Sequence, residues 1–282
     1  MKSLVIVLGL ALAWAANGQE TYPFKTVRLV AAAAPGGNPD VRAPADGHTL
    51  MLGDSGALAI NVALNPKLTY HPLKDFTLIT ALAAVPTVLV VNPAVPAGSL
   101  QEFLSHAKTR QLAYGSAGNG SVHHLTMAVF LARAGVEMLH VPYKGGTALV
   151  AAVLGGEVQS GWSGIPNVAP HIRSGKLRVL CISTARRSAS LPDVPACVEL
   201  GYPGFDIATT IGLQAPAGLS REIVARLQSA VAKALRERDL AERMANLGME
   251  MAENGTPYYQ RFVREDIERY AAAVKAAGVK QD

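Results

Sequence analysis

Short, almost continuously apolar segments recur along the chain and alternate with segments of helical periodicity. Apolar runs without polar alternation are typical of buried parallel strands whose two faces are covered by helices. The alternation therefore predicts an α/β protein with parallel-type sheets. The six runs that predict strands are 27–31, 49–53, 87–91, 112–115, 138–141 and 178–183.

The intervening helices have recognisable ends. A Ser–x–x–Glu capping box at Ser99 predicts a helix that continues to about Lys108. Three further helices begin at a serine or at Thr–Pro, and Gly135 and Gly278 end two of them. Their predicted ranges are 121–135, 220–235 and 256–278.

Proline and glycine cluster at 92–96 and again at 212–218, in each case after an apolar extended stretch. We interpret the two clusters as crossings of the chain between two lobes. This predicts a discontinuous first lobe, formed by 20–91 and 214–282, and a second lobe formed by 92–213.

The first residues have the pattern of a secretory signal peptide. Lys2 supplies a positive charge, an apolar stretch follows, and Ala13–Trp14–Ala15 is a small–x–small cleavage site. We therefore expect residues 1–15 to be a signal peptide and the mature protein to be exported to the periplasm. An uncleaved N-terminal helix is the alternative. No later apolar run reaches the roughly 18 residues that a membrane span needs.

Charge and cysteine content add two expectations. The chain has 26 basic and 21 acidic residues, a net charge of +5 that suits small anionic ligands. Its basic residues are scattered, so a nucleic-acid partner is not expected. Cys181 and Cys197 could form a disulfide in an oxidising compartment. Cys181, however, lies in the apolar run 178–183 and is also explained as a buried strand residue.

Enzyme signatures are incomplete in this sequence. Two Gly–x–Ser–Gly segments, around Ser55 and Ser163, resemble nucleophile elbows, but Ala57 and Ile165 replace the final glycine. No HExxH, CxxC or paired-carboxylate signature is present in the sequence, and we expect neither a metal nor a cofactor. A non-enzymatic protein is therefore predicted.

Four small polar loops that contain glycine follow extended segments. In open α/β sheets, ligands bind beyond the carboxyl ends of the strands, and helix N-termini favour anions there. We expect backbone amides and serine hydroxyls in these loops to hold a carboxylate. Turn geometry alone would explain any single loop, so their common position carries the prediction. The loops are 35–38, 54–56, 116–121 and 143–147.

Eight motifs between residues 22 and 282 occur in a specific order. In this order and spacing they resemble the Bug family, the extracytoplasmic solute receptors of tripartite tricarboxylate transporters. The motifs are APGG at 34–37, PADGHTL at 44–50, GALAIN at 56–61, KDF at 74–76, YGSAGNGS at 114–121, HVPYKG at 140–145, LPDVP at 191–195 and GLQAPAG at 212–218.

The resemblance implies two α/β lobes with two parallel-type sheets, which close on a ligand in a central cleft like a periplasmic binding protein. It also implies a small organic carboxylate as ligand, membrane subunits of a tripartite transporter as partners, and a monomeric receptor. By the same match, the first lobe contributes Pro35, Gly36, Gly37, Ser55 and Gly56 to ligand binding. The second lobe contributes Ser116, Ala117, Gly118, Ser121, Tyr143 and Ser163.

The sequence departs from the family pattern in two places. Between Gly37 and Asp46 the family normally has a helix–strand–helix segment that is missing here. We expect a weakened first lobe with an exposed sheet edge. Many relatives also carry Asp at the position of Ser163, which suits a ligand's ammonium group. The serine favours a plain carboxylate over an amino acid.

Two alternative functions stay open at this stage. The shortened first lobe is compatible with a degenerate receptor that binds no ligand. The other alternative is a serine hydrolase that pairs Ser116, Ser121 or Ser163 with a nearby histidine. Active-site serine labelling and ligand-induced thermal shifts would distinguish these alternatives from a carboxylate receptor.

Overall fold

Nine strands form one mixed sheet in the computed structural model, which describes residues 22–32, 42–252 and 255–279. The strands are β1 (Arg28–Ala32), β2 (Thr49–Asp54), β3 (Phe76–Val91), β4 (Ala113–Ser116), β5 (Leu139–Pro142), β6 (Ser160–Gly164), β7 (Arg178–Ile182), β8 (Ala208–Pro216) and β9 (Glu250–Met251). Their order is β1-β2-β8-β3-β6-β4-β5, and β7 and β9 also pair with β3. The predicted signal peptide and the loop at 35–38 lie outside the described residues.

The sheet is mixed rather than purely parallel. Strand β1 pairs with β2 in parallel, and β4 pairs in parallel with both β5 and β6. Strand β8 runs antiparallel to both β2 and β3, and β3 is also antiparallel to β6, β7 and β9. The expectation of parallel-type sheets is thus correct only at the two ends of the sheet, because β3 and β8 return antiparallel through its centre.

All six predicted strand segments correspond to strands, but β3 is much longer than its predicted part. Residues 76–86 pair with β8, and residues 87–91 pair with β6 and β7. The first part is rich in alanine and ends at Pro86, which has no N–H for a ladder hydrogen bond. Strand β6, of sequence SGWSG, was not predicted because serine and glycine have low strand propensity.

The helices are α1 (Asn61–Leu64), α2 (Leu100–Thr109), α3 (Val122–Ala134), α4 (Gly146–Gly155), α5 (Ile165–Arg173), α6 (Arg221–Arg236), α7 (Arg238–Asn246) and α8 (Thr256–Ala277). A π-helical turn, Gly56–Ile60, runs directly into α1, and a 3-10 turn covers Cys197–Leu200.

The predicted helix ends are confirmed. The side chains of Ser99, Ser121 and Ser220 each accept a backbone N–H in the first turn of α2, α3 and α6. Gly135 and Gly278 adopt the left-handed conformation after α3 and α8. One detail differs at α2. The carboxylate of Glu102 accepts the N–H of Gly98 instead of the N–H of Ser99, so the capping box is displaced by one residue.

The largest apolar cluster joins α3 and α8 to the central strands. Phe130 of α3 packs edge-on against Trp162 of β6, and both rings lie close to Phe205. Tyr270 of α8 belongs to the same cluster. The last helix is therefore built into the core beside elements from the middle of the chain.

Strand β1 is at one end of the sheet and pairs with β2 alone in the described part of the chain. Leu29 in this strand is 55% exposed, and Phe24 just before it is 51% exposed. This confirms the predicted exposed sheet edge. No helix within the described residues is long and apolar enough to cross a membrane.

Candidate functional site

A cavity of about 180 Å³ lies where the segments that follow β2, β4 and β5 come together. One wall consists of Asp54, Gly56, Asn61 and Thr209, which belong to or follow β2 and β8. The other wall consists of Ala117 with residues 120–123 and 145–146. Two parts of the sheet that are far apart in strand order thus face one another across a single pocket.

The N-terminus of α3 forms part of the second wall. Ser121 caps this helix by accepting the N–H of His124 at 3.3 Å. Gly120 has a φ of 70°, and a Cβ added there would lie 2.3 Å from Leu64 Cδ1. A larger residue would therefore be both strained and crowded at the position where the loop turns into the helix.

The N-terminus of α4 opens into the same pocket and has no side-chain cap. Its N-cap residue, Gly145, has a φ of 92° and donates its N–H to the carbonyl of Ala117 at 3.3 Å. The N–H of Tyr143 donates to the carbonyl of Ser116 at 3.0 Å. These bonds fix the starts of α3 and α4 side by side, and helix N-termini attract anions.

Two buried polar side chains at the pocket have nitrogen atoms without a hydrogen-bond partner. The Nδ2 of Asn61 is one, in a residue that is 5% exposed, although its side chain also interacts with the hydroxyl of Tyr70. The Nδ1 of His123 is the other. Buried polar atoms are nearly always hydrogen-bonded, so these two nitrogen atoms are available to a ligand or to water in the cavity. Burial lowers the pKa of His123 to about 4, which leaves its ring uncharged near neutral pH.

A stack of aromatic rings supports the loop 116–121 from behind. The rings of His124 and His140 lie 3.8 Å apart at an interplanar angle of 9°, and Tyr114 stacks on His140. His124 Nδ1 accepts the N–H of Gly120 at 3.1 Å. Burial lowers the pKa of His124, and burial together with His124 lowers the pKa of His140 to about 4. The stack is therefore neutral at physiological pH.

The hydroxyl of Ser116 lies 2.7 Å from His140 Nε2, a distance that also suits a nucleophile and its general base. Ser116 is fully buried, however, and does not line the pocket. Its Oγ also accepts the N–H of Gly118 at 3.1 Å and lies 3.0 Å from the Gly118 carbonyl. This hydroxyl therefore holds the loop in shape.

The predicted site residues occupy several different environments. Gly56, Ala117 and Ser121 line the pocket. Ser55 is buried and donates to Asp266 of α8 at 2.9 Å.

Three other predicted residues do not line the pocket. Tyr143 donates its hydroxyl proton to Glu157 at 3.2 Å. Ser163 is fully buried in β6, and its Oγ has no hydrogen-bond partner. Gly118 has a φ of 127° and shapes the loop. Pro35, Gly36 and Gly37 lie outside the described residues.

Sequence reasoning missed Asp54, Asn61, His123 and Thr209 as pocket residues. The loop 54–56 was identified, but its acidic residue was not considered. Asn61 lies within the motif GALAIN, where its helical position gave no sign that its side chain reaches a cavity. Thr209 belongs to β8, which no local pattern connects with β2.

A larger cavity of about 390 Å³ lies between α3 and α8, lined mainly by apolar side chains such as Phe205 and Tyr270. It contains no helix N-terminus, so the smaller pocket is the better site for an anion. No group of three or more His, Cys, Asp or Glu residues in the described ranges could hold a metal ion.

An α/β fold with a pocket of helix N-termini and uncharged donors is typical of proteins that capture small anions. Residues 37–279 match the family model described as tripartite tricarboxylate transporter family receptor. The chain therefore belongs to this family, whose members are solute-binding receptors and not enzymes. The family assignment excludes the serine hydrolase.

The relatives agree with this assignment over nearly the whole chain. Protein BugT of Bordetella pertussis is 30% identical, covering 99% of both chains. The solved structure of R. palustris Rpa4515 with adipate has a TM-score of 0.81 at 31% identity, covering 88% of this chain and 85% of that one. MatC from Rhodopseudomonas palustris with bound malate has a TM-score of 0.80 at 30% identity, covering 90% of this chain and all of that one. The predicted family and fold class are confirmed.

The chain is shorter than its relative BugT. The alignment with BugT extends over 322 residues, whereas this chain has 282, so at least 40 residues of that relative have no counterpart here. This difference agrees with the missing segment that the sequence motifs indicate.

Proposed function

We propose that this protein captures a small organic carboxylate in the pocket between β2 and the N-termini of α3 and α4. The observation that carries this proposal is the entry of two helix N-termini into one pocket, where the N-terminus of α4 has no side-chain cap. Backbone amides of the two helices would hold the carboxylate oxygens, and Asn61 would complete their hydrogen bonds. Relatives solved with adipate and with malate support a carboxylate ligand.

The size of the pocket favours a short ligand. Its volume of about 180 Å³ is below the roughly 300–1,000 Å³ that is common for drug-sized molecules. Gly145 adds no side chain to the pocket at the start of α4, where an added Cβ would have no atom within 4 Å. We therefore expect an acid of a few carbon atoms rather than an aromatic or branched one.

We further propose that the mature protein works in the periplasm after removal of residues 1–15. It would act as a monomer and deliver its ligand to membrane subunits of a tripartite tricarboxylate transporter. The family description and the relative solved as periplasmic binding protein BugD support this setting. The proposed lobes are 20–91 with 214–282, and 92–213. Ligand contacts to both would favour closure.

Thermal melting of the mature protein against a broad panel of organic acids tests the proposal. A ligand at 100 times its Kd raises the free energy of unfolding by about 2.7 kcal/mol, which is a measurable increase in Tm. We expect short aliphatic carboxylates to raise the Tm and neutral amides of equal length to leave it unchanged. Equal effects of acids and amides would contradict the proposal.

A degenerate receptor without a ligand is the second candidate, because at least 40 residues of BugT have no counterpart in this chain. This candidate predicts a cooperative melting transition that no acid in the panel shifts. A shift by any short carboxylate would exclude it.

A further inference from the structure

We propose that Asp54 makes this pocket selective for small monocarboxylates that also carry a hydroxyl or ammonium group. This inference rests on the proposed function and adds the class of ligand. Asp54 is the last residue of β2, and it lines the same cavity as the N-termini of α3 and α4. The pocket therefore combines a negative side chain with a wall of hydrogen-bond donors.

Within the described residues, the carboxylate of Asp54 has backbone partners only. Its Oδ1 accepts the N–H of Ala57 at 2.9 Å, and the N–H groups of Gly56 and of Asp54 itself also favour its ionised form. Within the described ranges, no side chain donates to it, and no lysine or arginine lines the pocket. Burial raises the pKa of Asp54, which shows that its ionised form is poorly solvated. A donor supplied by the ligand would replace the lost water.

The opposite wall presents donors and no negative charge. It consists of the first turns of α3 and α4, and Asn61 Nδ2 lies unpaired at the same cavity. One carboxylate of a ligand fits this wall. A second carboxylate would have to face Asp54 with no cation between the two charges, and like charges at short distance oppose each other. A hydroxyl or ammonium group would instead donate to Asp54.

Asp54 also has a structural role, because it accepts the Ala57 N–H at the start of the π-helical turn. Asparagine caps such a turn as well as aspartate does. Asp54→Asn therefore keeps the cap and removes only the charge. Asp239→Asn is the matched control. Asp239 is exposed at the start of α7, so this substitution removes the same charge away from the pocket.

The experiment is isothermal titration of the wild type and both variants with acids of equal chain length that differ only at one end. One series is succinate, 4-hydroxybutyrate and 4-aminobutyrate; a shorter one is malonate, 3-hydroxypropionate and β-alanine. We expect the wild type to bind a hydroxy or amino acid about tenfold or more tightly than the dicarboxylate of the same length. Asp54→Asn should reduce this ratio about tenfold or more, mainly through tighter binding of the dicarboxylate, with an unchanged Tm.

Two results would overturn the selectivity. One is that the wild type binds the dicarboxylate of each series as tightly as it binds the hydroxy acid and the amino acid of that series. The other is an equal change of all affinities in Asp54→Asn and Asp239→Asn. In both cases carboxylates still bind, so the proposed function stands. If no acid in these series or in the melting panel binds, the proposed function fails and the selectivity fails with it.

Discussion

The hydroxyl of Ser55 donates to the buried carboxylate of Asp266, 2.9 Å away and 211 positions later in the sequence. The same Oγ accepts the N–H of Thr210 at 3.1 Å. One serine thus connects the end of β2 with α8 and with β8. Burial raises the pKa of Asp266 to about 6, although its contacts with Arg269 and Ser55 lower it. The Ser55 hydroxyl therefore solvates a carboxylate that water does not reach.

Replacing this serine tests whether its role is structural. Ser55→Ala should lower the free energy of unfolding by about 1–3 kcal/mol, because a buried acceptor loses its donor. Chemical denaturation measures this loss. Ser174→Ala, which removes an exposed hydroxyl, is the control and should change stability by less than about 0.5 kcal/mol. A stable Ser55→Ala with lost ligand binding would instead assign Ser55 to the ligand site.

Asn61 is the sharpest single test of the carboxylate pocket. Asn61→Asp keeps the shape of the side chain but replaces its unpaired donor by a negatively charged acceptor. We expect the affinity for a carboxylate ligand to fall at least about tenfold by titration, because like charges then meet in a buried pocket. Asn246→Asp adds the same charge at the exposed end of α7 and should retain the wild-type affinity.

Stability should rise with pH between about 4 and 6.5. The folded pKa values of His123 and His140 are lowered to about 4, whereas the unfolded chain binds these protons near pH 6.5. The unfolded state therefore holds more protons in this window, and the free energy of unfolding increases as they are released. Asp54 and Asp266, whose pKa values are raised, act in the opposite direction. The three histidines with lowered pKa values, His123, His124 and His140, outnumber these two carboxyls.

Melting curves at a series of pH values check this dependence. The Tm should increase from pH 4.5 to pH 7, and His140→Gln should make the increase smaller. Glutamine can still hydrogen-bond Ser116, so the loop keeps a partner on that side. A Tm that stays constant over this range in the wild type would contradict the buried, neutral histidines.

The two cysteines are placed to react with each other. Their Sγ atoms lie 2.9 Å apart and both residues are fully buried, against a bond length of about 2.0 Å in a disulfide. We expect protein from an oxidising compartment to contain a Cys181–Cys197 disulfide. It forms when both thiols pass their hydrogens to a disulfide oxidant of that compartment.

Alkylation in denaturant without reductant measures this bond by mass. No label on the wild type and one on Cys197→Ala would confirm the disulfide; two labels on the wild type would exclude it. Because the bond closes a loop of about 15 residues, it should add roughly 3 kcal/mol to the free energy of unfolding.

The exposed edge at β1 should favour self-association. Leu29 presents apolar surface on a strand that has one neighbour in the described part of the chain. Unpaired edges invite further strands, and lysine on an edge prevents this. Leu29→Lys should reduce aggregation during concentration or heating, as seen by light scattering, without a large change in Tm. Equal scattering by both proteins would show that association occurs elsewhere.

Local signals predicted the helix ends and most strands correctly. Serine caps at Ser99, Ser121 and Ser220 are chemical features of a few neighbouring residues, so the sequence displays them directly. The central strands of the sheet were harder to predict from the sequence. The first part of β3 contains three alanines and Pro86, and four of the five residues of β6 are serine or glycine, so their pairing with neighbouring strands decides their structure.

The candidate site was predictable as a set of loops but not as a set of side chains. Gly56, Ala117 and Ser121 belong to loops after strands and line the pocket. The orientation of Asn61 and of Asp54 depends on how β2 faces α3 across the cavity, which no local pattern encodes. Ser55 was predicted to bind the ligand because it lies in the loop 54–56. Its hydroxyl instead donates to the buried carboxylate of Asp266.

The sixteen residues of β3 have a consequence for dissection of the molecule. Its first part pairs with β8, and its second part pairs with β6 and β7, so this one strand joins the two halves of the sheet. Cutting the gene beside Pro86 would leave each fragment with only half of this shared strand. Neither fragment would then be a natural unit for separate expression, and a split-protein reporter should be divided at a surface loop instead.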